Sequence, residues 1–215
     1  MPGKLKRERV ISYIDGFNLY FGIKAAGLRH HLWLDLLALS KNLSMAFQDV
    51  VEVKYFTSRI SGPGSKQQRQ STYLDALGTL DKAVFKMYFG KYQDEPQRCR
   101  LCGQEDRVPH EKMTDVNIAV EMMRDAYQDR FDTALLISAD SDLCPPVSAI
   151  RMLFPLKRVV VGFPPNRRSA ELASVASNQF VVGKGTLARS QFPAEIQTQA
   201  GIVLKKPGTW VPDSK

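Results

Sequence analysis

What most constrains this chain is an alternation kept up along most of its length: a short run of β-branched and aromatic residues, then a stretch with helical spacing. Val10–Ile14, Val50–Thr57, Val84–Tyr92, Thr133–Ser138 (TALLIS) and Arg158–Gly162 (RVVVG) are runs of the first kind and predict strands. Asn18–Ala26, Leu34–Met45, Ser65–Leu80 and a segment from Asp142 to about Leu153 predict helices between them, and Ala170–Ala176 with Gln179–Val182 adds one more helix and strand. Val116, Ala119, Val120, Met123 and Tyr127 recur at i, i+3, i+4, i+7 and i+11, the apolar stripe of a further helix. Strand followed by helix, several times over, is the pattern of an α/β fold with a central, mostly parallel sheet, helices on both faces and right-handed crossovers. Asp94–His110 reads as an irregular connection. The pattern thins from Gly183, so the expected organisation is a basic lead segment (1–9), one domain (10–182) and an arm laid over it (183–215).

Length and composition narrow the class. A chain of 215 residues supports one generous core, and 44% hydrophobic with 24% charged residues excludes wholesale disorder and coiled-coil bias. No apolar run approaches the roughly 18 residues of a membrane span, and the basic start MPGKLKRERV has no apolar stretch behind it. Three cysteines argue for a reducing compartment, so the expectation is a cytoplasmic protein without a membrane partner. A net charge of +8 favours polyanionic partners. Two stretches carry cations and no acid: Lys54–Gln70, with Lys54, Arg59, Lys66 and Arg69, and Arg151–Arg168, with Arg167 and Arg168 at its end. These residues are the candidate phosphate contacts of a nucleic acid.

The carboxylates carry the chemistry. Asp15 follows the first strand, Asp140 and Asp142 follow TALLIS, and Asp115 opens the helix that leads to TALLIS. In a parallel sheet these places share one edge, and if the first strand neighbours TALLIS they flank the switch point where such sheets bind ligands. Carboxylates gathered there repel one another unless a divalent cation sits among them, and hard oxygen ligands suit Mg²⁺ or Mn²⁺. Each aspartate alone is more readily a turn former or helix cap than a ligand, and it is their conjunction that points to a metal. Asn18, three residues after Asp15, either orients that carboxylate or caps a helix. Asp75, Asp81, Asp94, Asp125, Asp129 and Asp132 read as solvated surface.

Three segments resemble the ordered motifs of the NYN family, the LabA-like branch of PIN-like nucleases: Tyr13-Ile14-Asp15-Gly16-Phe17-Asn18, Glu111-Lys112-Met113-Thr114-Asp115-Val116 and Ile137-Ser138-Ala139-Asp140-Ser141-Asp142. The ending Lys206-Pro207-Gly208-Thr209-Trp210 is similar to the Arg-Pro…Trp tail common in that branch, so the resemblance runs from about Arg9 to Trp210. Departures are Ala139, where many members place Gly, and Cys144-Pro145-Pro146, where a bulky apolar residue before a single Pro is usual. The resemblance implies a PIN-like Rossmannoid fold and divalent-metal-dependent ribonuclease activity, with Asp15, Asp115, Asp140 and Asp142 as the acidic residues. The resulting expectation is cleavage of single-stranded RNA by a metal-activated water, with Asn18 assisting; DNA as a further substrate and assembly with other copies of the chain stay open. The alternatives are a non-catalytic nucleic-acid-binding or regulatory module of the same fold, or a phosphatase of small phosphoesters. Cys99-Arg100-Leu101-Cys102-Gly103 has the form of a zinc knuckle. Cys99, Cys102 and His110 offer three ligands to a structural Zn²⁺, with Cys144 a distant fourth, and a redox-sensitive pair or an inert loop are the other readings.

Overall fold

The structure, a computed structural model, describes residues 7–60, 64–98 and 105–211, and within these the side chains of all but 91–98 and 105–112. Strands β1 (Glu8–Asp15), β2 (Gln48–Thr57), β3 (Phe85–Phe89), β6 (Thr133–Ile137), β7 (Arg158–Phe163) and β8 (Asn178–Val181) form one sheet in the order β3-β2-β1-β6-β7-β8. Every neighbouring pair in it is parallel. Parallel strands need crossovers, and the helices supply them: α1 (Gly16–Ala25) and α2 (Leu36–Leu43) lead from β1 to β2, α3 (Gly64–Leu77) from β2 to β3, α4 (Thr114–Tyr127) into β6, α5 (Cys144–Leu153) from β6 to β7, and α6 (Ala170–Val175) from β7 to β8. The sheet is covered on both faces, which is why all five residues of β6 are buried and its sequence does not alternate.

Two cores result. One face packs Ile14, Leu19, Ile23, Trp33, Leu36 and Leu77 under α1, α2 and α3; the other packs Ile11, Tyr13, Ile118, Met122, Ile150 and Leu172 under α4, α5 and α6. Short polar side chains start the helices: the Asp15, Asp35 and Ser169 side chains accept from the backbone N–H of Asn18, Ala38 and Leu172. Beyond β8, α7 (Lys184–Arg189) is followed by a hairpin of β9 (Glu195–Gln197) and β10 (Val203–Lys205). Trp210 is buried within 6.4 Å of the Trp33 ring and 5.9 Å of Tyr73, and Trp33 Nε1 donates to the Pro193 carbonyl at 2.7 Å.

Two expectations are corrected. Residues 94–98 and 105–110 are not irregular: they belong to β4 (Lys91–Arg98) and β5 (Glu105–Lys112), which pair antiparallel. Pro96 and Pro109 disguised the pairing, because proline cannot donate to a ladder and is tolerated only in unpaired positions such as the edges of a two-stranded ribbon. The helix α4 exists, but its apolar stripe faces outward, with Val116, Val120 and Tyr127 at 60%, 56% and 82% exposure. Its buried face is Thr114, Ile118, Glu121, Met122, Asp125 and Ala126.

Candidate metal centre

The order of the sheet reverses at β1: β2 lies on one side and β6 on the other, the crevice where doubly wound sheets hold ligands at their carboxyl ends. Asp15 is the last residue of β1 and also the N-cap of α1. It can begin a helix pressed against β2 because Gly16 follows it: a Cβ there would lie 2.7 Å from Tyr55 Oη and 2.8 Å from the Phe56 carbonyl. Asp140 lies just past β6 and caps the helical turn Ser141–Leu143 through its Oδ1, which accepts from Asp142 N–H at 3.1 Å. Asp115 sits in the first turn of α4, which the chain enters through Met113 at φ 77°. Oxygen atoms of Asp15, Asp115 and Asp140 all lie within 4.8 Å of one another.

Asp15 is only 3% exposed, and its donors among the described residues are neutral. Asn18 gives it a backbone N–H at 3.0 Å and a side-chain N–H at 2.7 Å, and Ser138 Oγ donates at 2.8 Å. Burial pushes the Asp15 carboxyl above its usual range; the hydrogen bonds from Asn18 and Ser138 oppose the shift and the charge of Asp140 adds to it. Ser138 ties two of the carboxylates together, since its hydroxyl also accepts from the Asp140 N–H at 3.1 Å. Motif spacing assigns Ser138 no role; its place just past the strand end, two residues before Asp140, is the signal for one. Three hard oxygen donors converging from three elements, one of them buried without a cation, fit a divalent ion of the Mg²⁺ or Mn²⁺ type.

Not every candidate joins this group. Asp142 is exposed, its backbone caps onto Asp140, and its carboxylate is not among the converging oxygens. Arg167 reaches the centre indirectly: its Nη1 donates to Asn18 Oδ1 at 3.0 Å, and its guanidinium lies 5.7 Å from the Phe21 ring centroid. Arg59 is exposed over Phe89, Lys66 is exposed, Arg69 is half-buried, and Arg168 is exposed beside Gln179. Lys54 is a correction. It is fully buried on β2, with Nζ 2.7 Å from Glu121 Oε2 and 2.5 Å from Asp125 Oδ2, and cannot meet a phosphate. Asp125, read as solvated, is fully buried with it. Cys99 and Cys102 lie outside the described residues, as does the His110 side chain. Cys144 is half-buried at the start of α5, its thiol pushed up by burial.

A family model described as NYN domain matches residues 9–187. The chain is similar to the 6-hydroxy-3-succinoylpyridine 3-monooxygenase HspA of Pseudomonas putida, at 26% identity over 248 aligned positions that cover 98% of this chain and 78% of that protein. Among solved structures it is similar to a protein of unknown function, VPA0982, from Vibrio parahaemolyticus, with a TM-score of 0.54 at 21% identity over 84% of this chain and 96% of the other, a likeness of fold.

Proposed function

This chain belongs to the NYN domain family, with its nuclease-like α/β fold, and from that premise we propose that it is a divalent-metal-dependent ribonuclease acting on single-stranded RNA. The observation that carries the reading is the meeting of Asp15, Asp115 and Asp140 at the switch point of the sheet. These three residues would hold Mg²⁺ or Mn²⁺, which activates a water and stabilises the charge of an in-line phosphodiester displacement. The chain's own residues set up that chemistry. Asn18 and Ser138 fix the Asp15 carboxylate by three hydrogen bonds, so its oxygens are aimed before any ligand arrives. Asp142, exposed two residues beyond Asp140, extends the acidic field at the mouth of the site. Arg59, Lys66, Arg69, Arg167 and Arg168 supply the phosphate contacts. A zinc clip formed by Cys99, Cys102 and His110 is a separate proposal, read out as zinc content that disappears in Cys99→Ser and Cys102→Ser.

The test is cleavage of an end-labelled single-stranded RNA with Mn²⁺ and with EDTA, beside a DNA of the same sequence and a chromogenic phosphomonoester. The expected result is RNA cleavage that EDTA abolishes and that Asp140→Asn reduces to background. Cleavage at parental rate by Asp140→Asn, or in EDTA, sinks the assignment. Turnover of the monoester alone makes the protein a phosphatase.

A further inference from the structure

Beside the metal centre, α1 and α3 enclose a cleft of about 270 Å³. Its floor begins at Gly16, the neighbour of Asp15, so the cleft and the carboxylates are separated by a single residue of chain. The walls are aromatic: Phe17, Tyr20 and Phe21 from α1, Tyr73 from α3, and Trp210. Tyr20 and Phe21 remain 37% and 40% exposed. Lys66, Arg69 and Lys24 line it as well, and no carboxylate does among the described residues. A mostly apolar, ring-lined wall with cations suits a flat aromatic ring that carries an anion. The volume lies just under the roughly 300 Å³ at which pockets for drug-sized ligands begin, so it suits one ring system and no more.

We propose that this cleft is a nucleotide subsite, taking one unstacked base of the substrate strand between α1 and α3 and that nucleotide's phosphate on Lys66 and Arg69. The identity of the ligand rests on the ribonuclease reading. The subsite is linked to the metal centre through two side chains: Arg167 lies over Phe21 and donates to Asn18, which donates to Asp15. A base seated against Phe21 therefore shares that ring with the arginine that holds the partner of a metal-binding carboxylate.

Adenosine 5′-monophosphate titrated into the whole chain in EDTA, followed by calorimetry, tests the cleft without any metal. The expected result is saturable binding, weakened about tenfold in Arg69→Gln by loss of a charge-assisted contact and about tenfold in the double variant Tyr20→Ala, Phe21→Ala by loss of stacking. Lys66→Gln, at an exposed position, gives a second charge variant should Arg69→Gln melt early. Ribose 5-phosphate and pyridine-3-carboxylate should each bind at least tenfold more weakly than the nucleotide. Absence of saturable nucleotide binding overturns the proposal. So does equal binding in the charge and aromatic variants, equal affinity for ribose 5-phosphate, or tighter binding of the pyridine. Since no ion is present, failure here leaves metal-dependent RNA cleavage untouched. Saturable binding beside absent RNA cleavage would instead remove the ribonuclease reading and leave a nucleotide site.

Discussion

Two groups of three carboxylates lie about one helix apart in this molecule; Asp115 and Asp140 are half-buried, but Asp15 is as deep as the acids of the other group, so burial alone does not tell the buried acids apart. Glu52, Glu121 and Asp125 are 2%, 7% and 0% exposed; Asp15, at the metal centre, is 3% exposed. Partners do tell them apart. Asp125 accepts from Lys54 at 2.5 Å, from Arg130 at 2.8 Å and from the Tyr13 hydroxyl at 2.7 Å. Glu121 is held by Lys54 and Arg124, and Glu52 by Lys86 and Arg130. Where the fold brings its own cations to buried acids, the acids are fasteners. Among the described residues Asp15 receives amide and hydroxyl donors, which orient a charge without cancelling it, and the remaining charge is what an external cation answers. Helix α4 joins the two groups: Asp115 stands in its first turn, while Glu121 and Asp125 lie roughly 9 and 15 Å further along its axis. The neutralised group thus fastens to the sheet the helix that delivers a metal-binding carboxylate.

The largest effect should come from breaking the neutralised group. Lys54→Met leaves Glu121 and Asp125 in the core with one cation fewer, and removing one partner from a buried ion pair costs about 3–5 kcal/mol. Urea denaturation of the metal-free protein measures it. A loss below about 1 kcal/mol would mean that Arg124 and Arg130 neutralise the acids unaided, and the comparison between the two groups would lose its force.

At the metal centre the same kind of deletion should have the opposite sign. Burial raises the Asp15 carboxyl above its unfolded value, so the folded, metal-free protein is penalised for ionising it. That penalty is absent below the usual carboxylate range, grows as pH rises through the unfolded and then the raised folded value, and persists at neutral pH. Asp15→Asn should therefore raise the melting midpoint in EDTA at pH 7, and the gain should close as pH falls into the acid range. Cleavage should fall to background in the same variant. Mn²⁺ at a hundredfold over its Kd should stabilise the parent by about 2.7 kcal/mol and leave Asp15→Asn unmoved. A variant less stable than its parent in EDTA would show that the Asn18 and Ser138 hydrogen bonds outweigh the cost of the buried charge.

The same contrast explains what could be read in the sequence. The strand and helix alternation is fixed by apolar periodicity, and from it the parallel sheet, its switch point and the places of Asp15 and Asp140 follow. Chemistry placed at strand ends is legible because topology gathers it. The fastening group is not legible. Lys54 sits in a run of cations and Glu121 and Asp125 on a charged helix, and sequence patterning assigns charged residues to solvent. That assumption also turns α4 the wrong way: Ile118, Met122 and Ala126 share their face with Glu121 and Asp125, so assigning the acids to solvent favours the stripe of Val116, Val120 and Tyr127 instead. His31 follows the same pattern: in the polar-looking run Arg29-His30-His31 it is 8% exposed and held down to about 4 chiefly by burial. Asp142 shows the reverse limit. Motif spacing brings it beside Asp140, but its carboxylate, in the helical turn Ser141–Leu143, is not among the converging oxygens.

The smallest effect separates two neighbouring arginines. Arg167 and Arg168 are both exposed and both candidates for phosphate, yet only Arg167 touches the support of the metal centre, through Asn18 Oδ1. Arg167→Gln and Arg168→Gln should each flatten the slope of log RNA affinity against log salt by about 0.7, the loss of one phosphate contact on a single strand. Neither substitution removes a buried group, so both melting midpoints should stay within the scatter of surface changes. Manganese affinity should part them. Freed from Arg167, the Asn18 amide holds Asp15 less rigidly, and a relaxed outer partner weakens a metal ligand, typically by tenfold or more where the partner itself is deleted. Arg167→Gln leaves Asn18 in place, so a loss of a few-fold is expected, against none in Arg168→Gln. Mn²⁺ titration at constant ionic strength reads this directly. Equal Mn²⁺ affinity in the two variants would cut the link from the basic surface to the carboxylates and leave Asn18 and Ser138 as the supports of Asp15 among the described residues.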